Sequence, residues 1–212
     1  MDQDLGALRD SMLSVPIADD SDPFQILEKW LKAAETAALM NPNAMVLATA
    51  DARGVPSVRV LLLKEVRRGE GLVFYTSYVS PKAQDLEANP QASINFFWDA
   101  LFRQVRVSGS VQRVSRQDSE NYWNSRPFGS RVSQYVSTQS KTIESREELE
   151  ARYAETEKMF RESGNIPCPE HWGGYILRPQ VWEFWIADPV RFHYRYQFAQ
   201  RDGGWRFSLL SP

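Results

Sequence analysis

The 212-residue sequence has little of what metal and thiol chemistry need: one cysteine, Cys168, and two histidines, His171 and His193. A lone cysteine excludes an internal disulfide framework and any multi-cysteine metal centre. With two histidines, a zinc or non-haem iron site would need mostly carboxylate ligands, so no metal is expected. No apolar run approaches the roughly 20 residues of a membrane-crossing helix. Charge of one sign is not in excess either: a net charge of −2 argues against general binding to nucleic acid or to a membrane surface. The opening Met1-Asp2-Gln3-Asp4 is acidic rather than signal-like, so a reducing, cytoplasmic setting is expected. Nucleotide and nucleophile motifs are missing too. There is no Gly-x-Ser-x-Gly, no Walker loop, and no Gly-x-Gly-x-x-Gly after a strand. A phosphate-bearing ligand would have to be held by side chains.

What is present is an ordinary globular composition, 42% hydrophobic and 25% charged, of a length suited to one well-buried domain. Residues 1–20 lack periodicity and read as a mobile arm, leaving 21–212 as a single domain. Asp22-Pro23 caps a helix whose Phe24, Leu27, Trp30, Leu31, Ala34 and Ala38 recur at helical spacing to about Met40. Strands are expected over 44–50, 55–64, 71–76, 92–98 and 102–114, and again over 173–178, 181–186, 191–199 and 205–209. Helices are expected over 81–88, 116–124, 131–136 and 146–161. Many short strands with inserted helices, and no regular βαβ alternation, point to a mainly β antiparallel barrel.

Several segments carry candidate chemistry. In Arg191-Phe192-His193-Tyr194-Arg195, strand alternation would place Arg191, His193 and Arg195 on one face. That face is either a ligand wall or a wet edge. In Arg59-Val60-Leu61-Leu62-Leu63-Lys64 a strict pleat puts Arg59 and Lys64 on opposite faces, so both reach one ligand only near a strand end or a dimer seam. Ser80-Pro81-Lys82 opens a helix after Tyr75-Thr76, and a helix N-terminus beside a lysine suits a phosphate, although Ser80 is equally explained as a cap. Gln104, between Arg103 and Arg106, needs hydrogen-bond partners if buried, such as a flavin or pyridine edge. Tyr122, Arg126, Ser130 and Arg131 offer a phenol, guanidinium groups and a hydroxyl around a Pro-broken helix end, a donor set for a phosphate monoester.

Together these blocks resemble the pyridoxamine 5′-phosphate oxidase family. The blocks are NAMVLAT (43–49), RVLLLK (59–64), VFYT (73–76), RQVRVSG (103–109), YWNSRP (122–127), VSTQS (136–140), WGGYILRPQVWEFW (172–185) and RFHYR (191–195). The resemblance implies an FMN-binding split β-barrel, dimeric, with FMN at the subunit interface. It implies oxidation of pyridoxamine and pyridoxine 5′-phosphates to pyridoxal 5′-phosphate, with O2 as acceptor. FMN contacts carried over are Arg59, Val60, Leu61, Leu62, Leu63, Lys64, Tyr75, Thr76, Pro81, Lys82, Gln104, Gln139, Ser140, Trp185 and Arg195. Lys64, Tyr122, Arg126 and Ser130 would take the substrate phosphate, and Arg191, Phe192 and His193 its ring, with Arg191 and His193 nearest the chemistry. Arg9 would fold over the site as a lid. The sequence departs from the family pattern at Met12, Pro81, Phe192 and Tyr194. Two other readings stay open: an oxidase of the same fold acting on another molecule such as a phenazine precursor, and a non-catalytic flavin-binding barrel.

Overall fold

The computed structural model describes residues 17–212. Helix α1 (Pro23–Thr36) starts as its sequence dictates: the Asp22 carboxylate accepts the Phe24 N–H at 3.0 Å, and Pro23 takes the first helical position. It buries Phe24, Ile26, Leu27, Trp30 and Ala34. The helix stops at Thr36, short of Met40, because Ala38 turns to a φ of 53° and Met40 is left exposed. Arg9 and Met12 of the expected arm lie outside the described residues, whereas Ile17 is buried in the main core.

Strands β1 (Ala44–Ala50), β2 (Pro56–Leu62), β3 (Glu65–Arg67) and β4 (Gly71–Ser77) follow, then helix α2 (Pro81–Ala88). Next come β5 (Gln91–Trp98), β6 (Arg103–Arg113) and helices α3 (Arg116–Ser125), α4 (Phe128–Val136) and α5 (Arg146–Ser163). Strands β7 (Trp172–Ile186), β8 (Tyr194–Arg201) and β9 (Gly204–Leu209) close the chain. The strands form one antiparallel sheet in the order β2-β1-β5-β6-β7-β4-β3, with β8 on β7 and β9 on β8.

The 15-residue β7 is the spine. Its first part, residues 172–177, pairs with β4, and its second part, 181–186, pairs with β8, while β6 runs beside both. Between them the register with β6 shifts at Ser108/Gly109, opposite Pro179. The two strands expected over 173–178 and 181–186 are therefore one strand that changes partner at a bulge, which keeps a curled sheet continuous. The inner face carries Met45, Leu47, Ile94, Phe96, Val105, Val107, Trp182, Phe184 and Phe198, closed by α1. Trp30 meets Phe184 edge to face at 5.4 Å, and each such buried aromatic contributes about 2–3 kcal/mol of apolar burial.

Two further boundaries differ from sequence expectation. The second strand ends at Leu62; Leu63 turns into the core, and the Lys64 N–H donates to Val73 O. The last hairpin begins at Tyr194, because Asp188 closes a turn first. Its carbonyl accepts the Arg191 N–H, its Oδ1 accepts the Val190 N–H, and Arg191 takes a left-handed φ of 64°. Arg191, Phe192 and His193 thus lie on a turn and do not share a strand face with Arg195. Among the described residues no helix is long and apolar enough to cross a membrane, and no group of three or more His, Cys, Asp or Glu could hold a metal.

Candidate functional site

A second, smaller core builds the main cleft. Trp123 of α3, Val132 and Val136 of α4, Phe160 of α5, Ile166 and Trp172 pack together and seat the three helices against the start of β7. This places Tyr122 on Tyr75 of β4, ring centroids 4.0 Å apart, with the Trp172 ring 5.4 Å from Tyr75 and 6.2 Å from Tyr122. The Tyr75 ring fits because Gly174 has no side chain: a Cβ there would lie 2.8 Å from Tyr75 Cε1. Burial pushes the Tyr75 phenol up to about 12, so it stays a neutral donor.

The cleft has a volume of about 490 Å³. Around it stand Val60, Leu61, Leu62 and Lys64 from the end of β2, Tyr75 and Thr76 from β4, and Tyr122, Arg126, Ser130, Gln134 and Gln139 from the helical side. The Arg126 guanidinium lies 5.0 Å from the Trp172 ring and 5.4 Å from that of Trp123. Burial pulls its pKa down, and its Nη1 is buried with no acceptor. Among the described residues neither Lys64 nor Arg126 has an ion-pair partner. Two cations without a carboxylate in one cleft are the electrostatic mark of an anion site.

One layer behind the cleft wall, Lys82 of α2 is 6% exposed and donates to three neutral oxygens. These are Gln139 Oε1 at 2.8 Å, Ser80 Oγ at 3.2 Å and Thr76 Oγ1 at 3.3 Å. Burial, then the nearby Arg59 charge, lowers Lys82 to about 8. Ser80 does not cap α2; its hydroxyl donates to Ser77 O instead. Arg59 is fixed by Thr49 Oγ1 and Ser57 Oγ, both at 2.7 Å, with Asp85 Oδ2 at 3.7 Å. Burial lowers the Arg59 pKa. Leu63 sits in the core and does not face the cleft, and Pro81 is exposed at the first turn of α2. Ser140 is exposed at φ 66° and borders a neighbouring space of about 370 Å³.

The remaining candidates gather elsewhere, on the outer sheet face. Cross-strand register aligns Phe97, Gln104, Trp185 and Arg195 in one row over β5, β6, β7 and β8. Glu183, buried one row away, holds Arg195 through Oε1 at 2.9 and 2.8 Å and raises its pKa, and Arg195 Nη1 also donates to Ser211 O. The His193 ring lies 4.7 Å from Trp185, and its Nδ1 accepts the Asp188 N–H at 3.1 Å. That bond fixes the tautomer, so in the neutral ring Nε2 carries the proton. Gln104, Trp185, Arg191, His193 and Arg195 do not line the cleft. Sequence reasoning did not single out Gln134, Glu183, Thr49 or Asp85. Gln134 carried a usable signal, standing four residues after Ser130 on one helix face, whereas the other three are defined only by register and packing.

The outer face also continues across six strands as Val60, Val46, Asn95, Arg106, Glu183 and Gln197. At its β2 end Val58 and Val60 are 67% and 66% exposed. An uncovered apolar strip joined to a polar row is the anatomy of an interface.

The family described as pyridoxamine 5′-phosphate oxidase matches residues 31–160, and the pyridoxine 5′-phosphate oxidase C-terminal dimerisation region matches residues 172–212. A pyridoxine/pyridoxamine 5′-phosphate oxidase of Paraburkholderia phymatum is 48% identical over 204 residues, covering 95% of each chain. One of Pseudomonas paraeruginosa is 46% identical over 91% of this chain and 89% of its own. Among solved structures, PhzG from Burkholderia lata 383, in complex with tetrahydrophenazine-1-carboxylic acid, superposes with a TM-score of 0.87 at 29% identity, over 93% of this chain and 98% of that one. A pyridoxamine 5′-phosphate oxidase-related, FMN binding protein of Nostoc punctiforme shares the fold, with a TM-score of 0.73 at 15% identity, over 92% and 100%.

Proposed function

The chain belongs to the pyridoxine/pyridoxamine 5′-phosphate oxidase family, and from that membership we propose how its residues divide the work. It is an FMN-dependent oxidoreductase that makes pyridoxal 5′-phosphate from pyridoxine 5′-phosphate and pyridoxamine 5′-phosphate, and it is a homodimer. The residues present fit FMN. Lys82 is a buried ammonium surrounded by neutral oxygens, and a buried cation without a counter-charge calls for an anion such as the FMN phosphate. Arg59, Lys82, Thr76 and Gln139 would hold that phosphate, and Val60, Leu61, Leu62 and Tyr75 would line the flavin's bed.

Lys64, Tyr122, Arg126 and Ser130 would bind the substrate phosphate, and their convergence in one cleft is the observation that carries the reading. The cleft of one protomer has no residue from the Gln104–Trp185–Arg195 row. We assign that row, with Arg191 and His193, to the partner's half of each site, so that FMN lies at the interface. Arg195, held by Glu183, would then address the flavin. Arg191 and the Nε2–H of His193 would orient the pyridine ring, with its 4′ carbon against the flavin.

FMN held by these residues would supply the two-electron acceptor for the hydride of that carbon, with O2 as the terminal acceptor. The balance is one alcohol and O2 giving aldehyde and H2O2; the amine also takes up one water and releases ammonia. The protein's part is to bind, orient and exclude water. A phenazine precursor lacking phosphate would bring at most a carboxylate to Lys64 and Arg126 and would leave part of the Lys64, Tyr122, Arg126 and Ser130 donor set unused.

Purified protein loaded with FMN should form aldehyde and peroxide from both phosphorylated vitamers, followed by absorbance and a coupled peroxide assay. Tight FMN binding with no turnover on either would overturn the oxidase reading in favour of a flavin carrier.

A further inference from the structure

Helix α4 carries a polar side chain that none of the roles above uses. Gln134 stands one helical turn after Ser130, so both side chains share the face turned to the cleft. Gln134 also borders a second space of about 470 Å³, with Gly129, Ser133, Ser137 and Tyr153. Arg126, Ser130, Gln134 and Gln139 line both spaces and form the partition between them.

The amide is unusual in its bonding. Gln134 Nε2 is buried and has no acceptor, and the same is true of Arg126 Nη1 in the same wall and of Arg131 Nε nearby on α4. The Arg131 charge contributes to lowering the Arg126 pKa, so the two guanidinium groups feel each other. Among the described residues neither arginine has an ion pair. A buried donor left unpaired loses its hydration without replacement, and three in one small region call for an acceptor. Gln139, the neighbouring amide, is already engaged: its Oε1 accepts from Lys82 and Thr76. It therefore belongs to the Lys82 cluster, while Gln134 belongs with Ser130 and Arg126.

The geometry points to Gln134 as a specificity-determining residue, an amide donor to the phosphate of the substrate beside Arg126 and Ser130. This rests on the reading of the cleft given above. Gln134 adds a hydrogen bond to a phosphate oxygen without adding charge, and an unphosphorylated substrate offers it no such acceptor. Its selectivity is thus for phosphorylated over free vitamers.

Steady-state kinetics of Gln134→Ala and Gln134→Glu test this on pyridoxine 5′-phosphate and on unphosphorylated pyridoxine. Gln134→Ala should raise KM for the phosphate ester about tenfold at nearly unchanged kcat, and weaken competitive inhibition by inorganic phosphate by a similar factor. Gln134→Glu, which sets a carboxylate against the phosphate, should raise KM further, while both variants keep wild-type kcat/KM on pyridoxine. FMN affinity, from quenching of flavin fluorescence, should stay within twofold of wild type. An equal loss on both alcohols, or weakened FMN with an unchanged KM, would overturn the assignment and place Gln134 in the fold or at the cofactor. Should wild type itself not discriminate between the two alcohols, the phosphate reading of the whole cleft would fail instead, a result distinct from failure of Gln134 alone.

Discussion

Lys82 shows how much one side chain can set. Its ammonium is buried among oxygens of Thr76, Ser80 and Gln139, and burial brings its pKa from the ordinary 10.5 to about 8. Between those values the unfolded chain binds more protons than the folded one, so this group makes FMN-free protein more stable as pH rises through that window. The proposed binding of the FMN phosphate by Lys82 would run the opposite way, because it needs the charged form. FMN affinity should therefore fall about tenfold between pH 7 and pH 9, and Lys82→Met should bind FMN more weakly at pH 7 with that dependence gone. Fluorescence titration at both pH values checks this; a Lys82→Met protein with the wild-type pH profile would move the titrating group elsewhere. Lys82 was legible in the sequence as a lysine at a helix start. Its burial was not, because that depends on Gln139, 57 residues away, arriving over it.

At the scale of elements, the change of partner along β7 divides the site. Residues 172–177 support Tyr75 and the cleft, and residues 181–186 carry Glu183 and Trp185 to the outer face. Gly109 makes the shift possible: a Cβ there would fall against the Arg178 carbonyl at the bulge. Gly109→Ala should cost about 1–3 kcal/mol of stability, seen as a lower urea midpoint, and should loosen both halves of the site together. An unchanged midpoint would mean the bulge relaxes freely. Most elements were legible because apolar periodicity marks them: α1 from its capped start, β1 from an apolar run bounded by Asn-Pro and a turn. The errors came from one local turn and one non-local pairing. The Asp188 turn delays β8 to Tyr194, and β6 holds β7 together across Pro179.

For the whole molecule, the proposed assignment of the Gln104–Trp185–Arg195 row to the partner's half of each site would make dimerisation a condition of chemistry rather than of stability alone. Val58 is exposed on the outer face and does not line the cleft. Val58→Asp should give a monomer by sedimentation, and that monomer should lose FMN although no cleft residue has changed. A monomer that keeps FMN at wild-type affinity would refute the interface placement.

The sequence by itself determined the fold class, the absence of a thiol or multi-histidine centre, and the identity of most cleft residues. Their types and order are local facts, carried by strand and helix periods and by ordered blocks. Only the tertiary structure decided which of them meet. It sorted the residues into two clusters, moved Arg191 and His193 off the strand, withdrew Leu63 into the core, and exposed the unpaired Gln134 amide. The two clusters, Leu63 and Gln134 depend on register or burial between segments far apart in the chain, and the Asp188 turn on specific side-chain bonds; a pattern of residue types along one segment does not encode either.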